Sequence, residues 1–398
     1  MWSQGQDLKV AFIAVLIGAV LRIIFLLTAP LEGDAVEGRL SAYNDEYAHF
    51  NYITYLVEHH QLPESSASIR DNATGAVATF ENYQPPLYYL VCALPVALWQ
   101  TAGWPRSYLA ARMVSLLASM ALLPLIFLIT LAFGLDRSVA AGSVIVTSIL
   151  GSLVRFSSLV SNDTLCWLFS GLAIYFWLRS ERESPARLTM LLWCLSMIAG
   201  LFTKLSVLLL LPLPLLYSLL RGNWRQSLKW LVWTVIVIFA TLPIWIRNVQ
   251  IFGALFPLSA GFGKSGIESG PILSVLAYAA RSFLFPWQEF WGGWPGSLLL
   301  LSIVLVCMYL TISSSEQFKK LREPILFCLL MLAGICGFAW LNLHYFQAEG
   351  RYLLSTWPVW AMIIGVAGRS MTRQWILFGT LLSPYLLFLI PFGELARV

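Results

Sequence analysis

Residues 43–50 read Tyr-Asn-Asp-Glu-Tyr-Ala-His-Phe, about fifteen residues beyond the end of the first hydrophobic segment. A carboxylate pair this close to a membrane-length apolar run is costly unless it is solvated or put to use. On a helix over residues 44–60, Asp45, His49 and Tyr52 share one flank at spacings of four and three. That pattern suits a general base with a neighbour that could tune it or share a cation. The same pattern also suits an interfacial helix whose acids merely face water.

A second acid stands in Ser161-Asn162-Asp163-Thr164 between two apolar runs, where Asn and Asp are also favoured helix caps. Five cations, Arg22, Arg155, Lys204, Arg247 and Arg351, are expected in or near the outer half of a membrane. Basic groups at that depth either face the bundle interior with anionic partners or snorkel to the headgroups. Few embedded acids accompany them, which points to an anion brought from outside the protein, such as a lipid phosphate. Arg351 could grip two phosphate oxygens with its planar fork. The polar segment Tyr83-Gln84-Pro85-Pro86-Leu87-Tyr88-Tyr89 opens a short apolar run, and its prolines suit the first turn of a helix.

The elements that must position these groups are membrane helices. Of the 398 residues, 59% are hydrophobic and 11% charged, against roughly 25% charged in soluble domains. Mean hydropathy is +0.75. About eleven spans are predicted, at 9–30, 108–133, 139–159, 164–178, 188–202, 205–220, 228–246, 296–312, 325–343, 352–368 and 375–391. The first is read as an uncleaved helix. Arginines and lysines concentrate in 179–187, 221–229 and 313–324, so these loops are assigned to the cytoplasm. Counting back from 179–187 places 31–107 outside as one loop, with 86–100 lying along the interface. The second large outer loop is 247–295, and both sit in a single domain over 1–398. The net charge of +5 is spread over short loops and implies no nucleic acid. The six cysteines lie in apolar stretches without metal-ligand spacing and read as small core residues.

The ordered set resembles the GT-C membrane glycosyltransferases, the superfamily of protein O-mannosyltransferases and aminoarabinose transferases. It comprises Asp45-Glu46 with His49, Tyr83-Gln84-Pro85-Pro86-Leu87-Tyr88, Ala111-Arg112 opening a span, and Ser161-Asn162-Asp163. Thr203-Lys204, Arg247-Asn248 and Gly350-Arg351-Tyr352-Leu353 complete it. The resemblance covers residues 10–370. It implies an all-α polytopic bundle with juxtamembrane helices in the first outer loop. It also implies transfer of a sugar from a polyprenyl-phosphate donor to a glycan, lipid or protein acceptor on the extracytoplasmic face of a plasma membrane, bacterial in type.

In those roles Asp45 is the base, with Glu46 and Asp163 the accompanying catalytic acids. His49, Tyr83, Gln84, Lys204, Arg247, Arg351 and Tyr352 are the substrate-binding candidates, the last three basic groups holding the carrier phosphate. A divalent metal is used by some such enzymes; none is required by this pattern, and no metal ligand is assigned. The chain shows no sizeable C-terminal domain of the kind the larger relatives carry, so a lipid-linked glycan is the favoured acceptor. The competing readings are a flippase for lipid-linked glycans, which would distribute charges at midplane, and a glycan polymerase, which would not need the Asp-Glu pair.

Overall fold

The computed structural model describes residues 4–29, 46–63, 69–70, 77–78, 81, 83–182, 187–257, 321–344, 350–366 and 370–386, with single positions 282, 306, 309 and 319. Asp45, most of the predicted span 296–312 and most of the loop 247–295 lie outside these residues.

The described chain is almost wholly helical. Helix α1 (Gln4–Thr28) leads to α2 (Glu46–His59) and α3 (Leu87–Thr101), then α4 (Tyr108–Ala132), α5 (Arg137–Ile149) and α6 (Gly151–Phe156). Next come α7 (Asp163–Ser180), α8 (Arg187–Thr203), a 3-10 turn (Leu205–Leu210), α9 (Leu213–Leu220) and α10 (Trp224–Phe252). The last described elements are α11 (Pro324–His344), a second 3-10 segment (Gly350–Thr356), α12 (Trp357–Gly365) and α13 (Met371–Leu386). The all-α class holds, with one minimal β-ladder among the described residues. Ile69–Arg70 pairs antiparallel with Val77–Ala78 inside the first loop.

By length and composition, α1, α4, α10 and Pro324–Leu341 of α11 can cross a membrane. The chain is an integral membrane protein. Other predicted spans are built from two pieces. Leu150, with ψ 129°, ends α5 and turns the chain into α6. The predicted span 205–220 is a 3-10 turn followed by α9, and Lys204, fully extended at φ −158° and ψ 135°, separates it from α8 where the sequence had already ended a span. Helix α3, at 15 residues, is only ~22 Å long at 1.5 Å per residue, short of the roughly 30 Å hydrocarbon core.

Two buried clusters organise these helices. The larger takes residues from α1 and from α4 onward through α13, with α5 at its centre and buried from Val139 to Ile149. Lipid is as apolar as leucine, so such helices associate by close fit and polar contacts. Gly142 of α5 meets Gly365 of α12, and a Cβ at 142 would lie 2.4 Å from the Gly365 carbonyl oxygen. The smaller cluster joins α2, α3 and the start of α4 through Tyr52, Ile53, Tyr88 and Tyr89. Helix α2 is thus packed on several sides, with Glu46, His49, Tyr52 and Ile53 all buried.

Two sequence readings are overturned here. Cys92, Cys166 and Cys194 are buried thiols as expected, but Cys328 and Cys336 are exposed on α11. Arg22 belongs to the frame. Its guanidinium donates to Ser119 Oγ and Ser157 Oγ, and to the carbonyls of Gly18, Thr147 and Ser148, tying α1 to α4, α5 and the end of α6. Carbonyls and hydroxyls satisfy this cation without any acid.

Candidate active site

The site is assembled from five short stretches that break or start helices. Glu46 is the first residue of α2 and has no exposed surface. Its two oxygens accept from Arg112 Nε and Nη2, each at 2.7 Å, and Oε1 also accepts the Val160 amide at 2.8 Å. Arg112, near the start of α4, spends its remaining nitrogen on the carbonyls of Leu26 and Ala29, both at 2.8 Å. The Tyr108 ring lies 4.8 Å beneath the guanidinium. One ion pair therefore fixes the start of α2 against the end of α1, the start of α4 and the 157–162 turn.

The Pro-Pro-Leu-Tyr-Tyr segment reaches the same turn. Tyr88 Oη pairs with Ser115 Oγ at 2.8 Å and accepts the Ser161 amide at 3.0 Å. Tyr89 Oη lies 2.7 Å from His49 Nδ1, and its ring stacks on Tyr52 with centroids 3.9 Å apart. Gln84 accepts from Asn162 Nδ2 at 3.2 Å, and the same amide donates to the Thr203 carbonyl at 3.3 Å. Tyr83 is half-buried beside it.

Asp163 opens α7 and is nearly fully buried. The cap position proper belongs to Asn162, so Asp163 is released to face the site. Lys204 Nζ donates to Oδ1 at 2.6 Å, and Arg351 Nη1 to Oδ2 at 3.5 Å. Ser161 Oγ donates to Oδ2 at 3.2 Å, and His49 lies within electrostatic reach. Lys204 points inward because the chain is extended there between α8 and the 3-10 turn. Arg351 enters from the second 3-10 segment and covers the Phe156 ring at 4.9 Å; Arg155 covers the same ring at 5.1 Å. Snorkelling is thereby overturned for both Lys204 and Arg155, the latter only 2% exposed.

Of the predicted residues, Glu46, His49, Gln84, Asp163, Lys204 and Arg351 are brought together. Arg247 lies near Tyr52 of α2 and 5.7 Å from the Phe252 ring. Burial pushes the Tyr52 phenol up to about 12, against the pull of Arg247. Asp45 and the side chain of Tyr352 fall outside the described residues. Arg112, Tyr88, Asn162 and Phe156 complete the site. The sequence offered Arg112 and Tyr88 only as parts of motifs and gave no signal for Phe156. Among the described residues no three His, Cys, Asp or Glu side chains gather as metal ligands. Both oxygens of Glu46 and of Asp163 are engaged by cations, a poor fit for a divalent ion.

Solved structures share this arrangement of helices. ArnT from Cupriavidus metallidurans bound to undecaprenyl phosphate aligns with a TM-score of 0.59 at 16% identity, over 95% of this chain and 63% of ArnT. Its apo form aligns at 0.58 and 16%, over 92% and 60%. The Archaeoglobus fulgidus oligosaccharyltransferase tethered to an acceptor peptide aligns at 0.58 and 12%, over 92% of this chain and 49% of that one. The chain thus spans about half to two thirds of these proteins. The architecture is the GT-C glycosyltransferase fold.

The family model of the dolichyl-phosphate-mannose-protein mannosyltransferases matches residues 46–254, more than half of the chain, and the chain belongs to that family. The matched stretch holds Glu46, Gln84, Arg112, Asp163, Lys204 and Arg247. No curated protein sequence matches it.

Proposed function

We infer that this protein transfers a sugar from a polyprenyl-phosphate carrier to an acceptor hydroxyl or amide, a lipid-linked glycan being the favoured acceptor, on the outer face of the membrane. The observation that carries this reading is the gathering of Lys204, Arg351 and Arg155 around one carboxylate and one ring, Asp163 and Phe156. Lys204 and Arg351 about the single Asp163 carboxylate leave a positive excess, and a phosphate monoanion suits it. Family membership and the likeness to ArnT, a protein solved with undecaprenyl phosphate, favour a lipid-borne phosphate.

The mechanism follows from the same charges. Asp45 removes the acceptor's proton as the acceptor oxygen or nitrogen attacks the anomeric carbon. The bond from that carbon to the carrier phosphate breaks, and both its electrons leave with the phosphate. In-line attack inverts the carbon. Negative charge grows on the leaving phosphate, so fixed cations stabilise the transition state more than the ground state. Glu46, held by Arg112, positions the start of α2 and leaves the proton transfer to its neighbour in sequence. The residues present do not fit a metal, and no step runs through one.

The test is an assay of the purified protein with undecaprenyl-phosphate-linked mannose and aminoarabinose in turn, each with a membrane-lipid extract as acceptor source. Release of undecaprenyl phosphate that depends on Lys204 and Arg351 supports transfer. Translocation of an intact fluorescent lipid-linked sugar across a vesicle, without carrier release, supports a flippase and overturns it.

A further inference from the structure

At the opposite end of the bundle from Asp163 lies a cavity of about 520 Å³, within the roughly 300–1,000 Å³ range of small-ligand sites. It is lined by Asp7 of α1, Leu131 of α4, the α4–α5 turn with Leu135, Asp136 and Arg137, and Arg322 ahead of α11. We propose that this cavity holds the headgroup of a zwitterionic phospholipid with a primary ammonium, phosphatidylethanolamine.

The charge pattern carries the ligand class. Two guanidiniums and the N-terminal end of α5 offer a phosphate both charge and amide donors. Two carboxylates offer acceptors to an ammonium. A purely anionic headgroup would meet the carboxylates, and a quaternary ammonium could donate no hydrogen bond to them.

The groups are held in place beforehand. Gln374 Nε2, on α13, donates to Asp7 Oδ1 at 3.1 Å and to the Ser138 carbonyl at 3.3 Å, so it fixes α1 against the start of α5. The Arg322 amide donates to the Phe133 carbonyl at 2.9 Å. Its side chain lies across Gly134, where φ is +86° and a Cβ would sit 2.4 Å from Arg322 Cγ. Glycine is required there twice over, for the left-handed backbone and for the arginine's path.

The surroundings indicate a lipid. Beside Asp7 on α1, Leu8 and Phe12 are 47% and 62% exposed, and Leu128, one turn before Leu131 on α4, is 46% exposed. Acyl chains leaving the cavity therefore find an apolar track along α1 and α4. This end also carries Arg179, Arg182 and Arg221, with Arg182 donating to the Ala132 carbonyl, so the positive-inside rule assigns it to the cytoplasm. The inference is independent of the transfer reaction.

The experiment is native mass spectrometry of the full-length protein in detergent with phosphatidylethanolamine, phosphatidylcholine or phosphatidylglycerol of identical acyl chains. Phosphatidylethanolamine is expected to be retained preferentially. Arg322→Gln and Arg137→Gln should each lower its retention about tenfold or more, the loss of a charge-assisted hydrogen bond to the phosphate, and Asp136→Asn should remove the preference for it over the other two lipids. If Arg322→Gln does not fold, Arg137→Gln alone decides. Equal retention of the three lipids, or retention indifferent to both arginine substitutions, would mean the four charges serve only one another and would overturn the site. Equal binding of soluble phosphoethanolamine would overturn the lipid as its occupant.

Discussion

Glu46 and Arg112 are 66 residues apart in sequence and meet through two 2.7 Å hydrogen bonds, with neither side chain exposed. A bidentate pair with every guanidinium nitrogen hydrogen-bonded has the geometry that offsets its desolvation. Arg112→Gln leaves a buried carboxylate facing too few donors, and the expected cost is about 3–5 kcal/mol. Thermal unfolding in detergent measures it. Glu46→Gln with Arg112→Gln together should cost less than the sum of the single changes, because the partners share one interaction. Strict additivity would show that the pair is not coupled.

Asp45→Asn keeps the size of the side chain and most of its hydrogen bonding but cannot take a proton. Carrier-phosphate release at saturating donor and acceptor should fall about 10²–10⁴-fold, while donor binding survives. Turnover near the wild-type rate would remove Asp45 as the base and make Asp163 the next residue to test.

Arg351→Lys retains the charge yet loses the planar group that lies over Phe156 and reaches Asp163. Transfer should drop by about tenfold or more, with the loss mainly in kcat if the guanidinium acts on the departing phosphate. Lys204→Gln should weaken donor binding as well, since it removes the cation 2.6 Å from Asp163. Donor titration beside steady-state kinetics separates the two effects.

Ser107→Cys should react with a membrane-impermeant thiol reagent added from outside intact cells. Ser107 precedes α4 directly, so its side of the membrane fixes that of Gln84 and Asp163. Labelling only after permeabilisation would invert the assigned topology.

Gly365→Ala should destabilise the bundle by about 1–3 kcal/mol, the usual range for overpacking. A Cβ there would lie 2.4 Å from Ser143 Oγ and 2.6 Å from the Ser143 amide nitrogen. Gly379→Ala, with open space around its position, is the control. Equal melting temperatures for the two variants would contradict the close α5–α12 contact.

Much of the helical framework could be read from hydropathy, because a membrane permits few alternatives to a helix. The breaks within it were less legible. The gap at Lys204 was legible between the predicted spans 188–202 and 205–220, but Leu150 is an ordinary residue inside the predicted span 139–159, and nothing local marks the end of its helix. The sequence brought Asp163, Lys204 and Arg351 to one end of the membrane through charge placement. It could not show that Asp163 takes both cations, since pairing across 41 and 188 residues leaves no local period. Arg22 was misread, and Arg112 given no role, for the same reason. A lone arginine in an apolar run looks alike whether its acceptor is a phosphate, a carboxylate or five backbone and hydroxyl oxygens.

Arg22 also sets an order in time. The chain emerges from the ribosome N-terminus first, and the carbonyl of Ser148 and the hydroxyl of Ser157 lie 126 and 135 residues downstream. At roughly 5–20 residues per second that gap is about ten seconds. Throughout it α1 carries a cation near its C-terminal end whose acceptors on α4, α5 and the end of α6 have yet to be made. An arginine at the centre of a lone membrane helix costs about 2.5–3.5 kcal/mol. The first helix to be synthesised is therefore not secured until α6 has been made, and its final seat in the membrane waits on helices that do not exist when it is born.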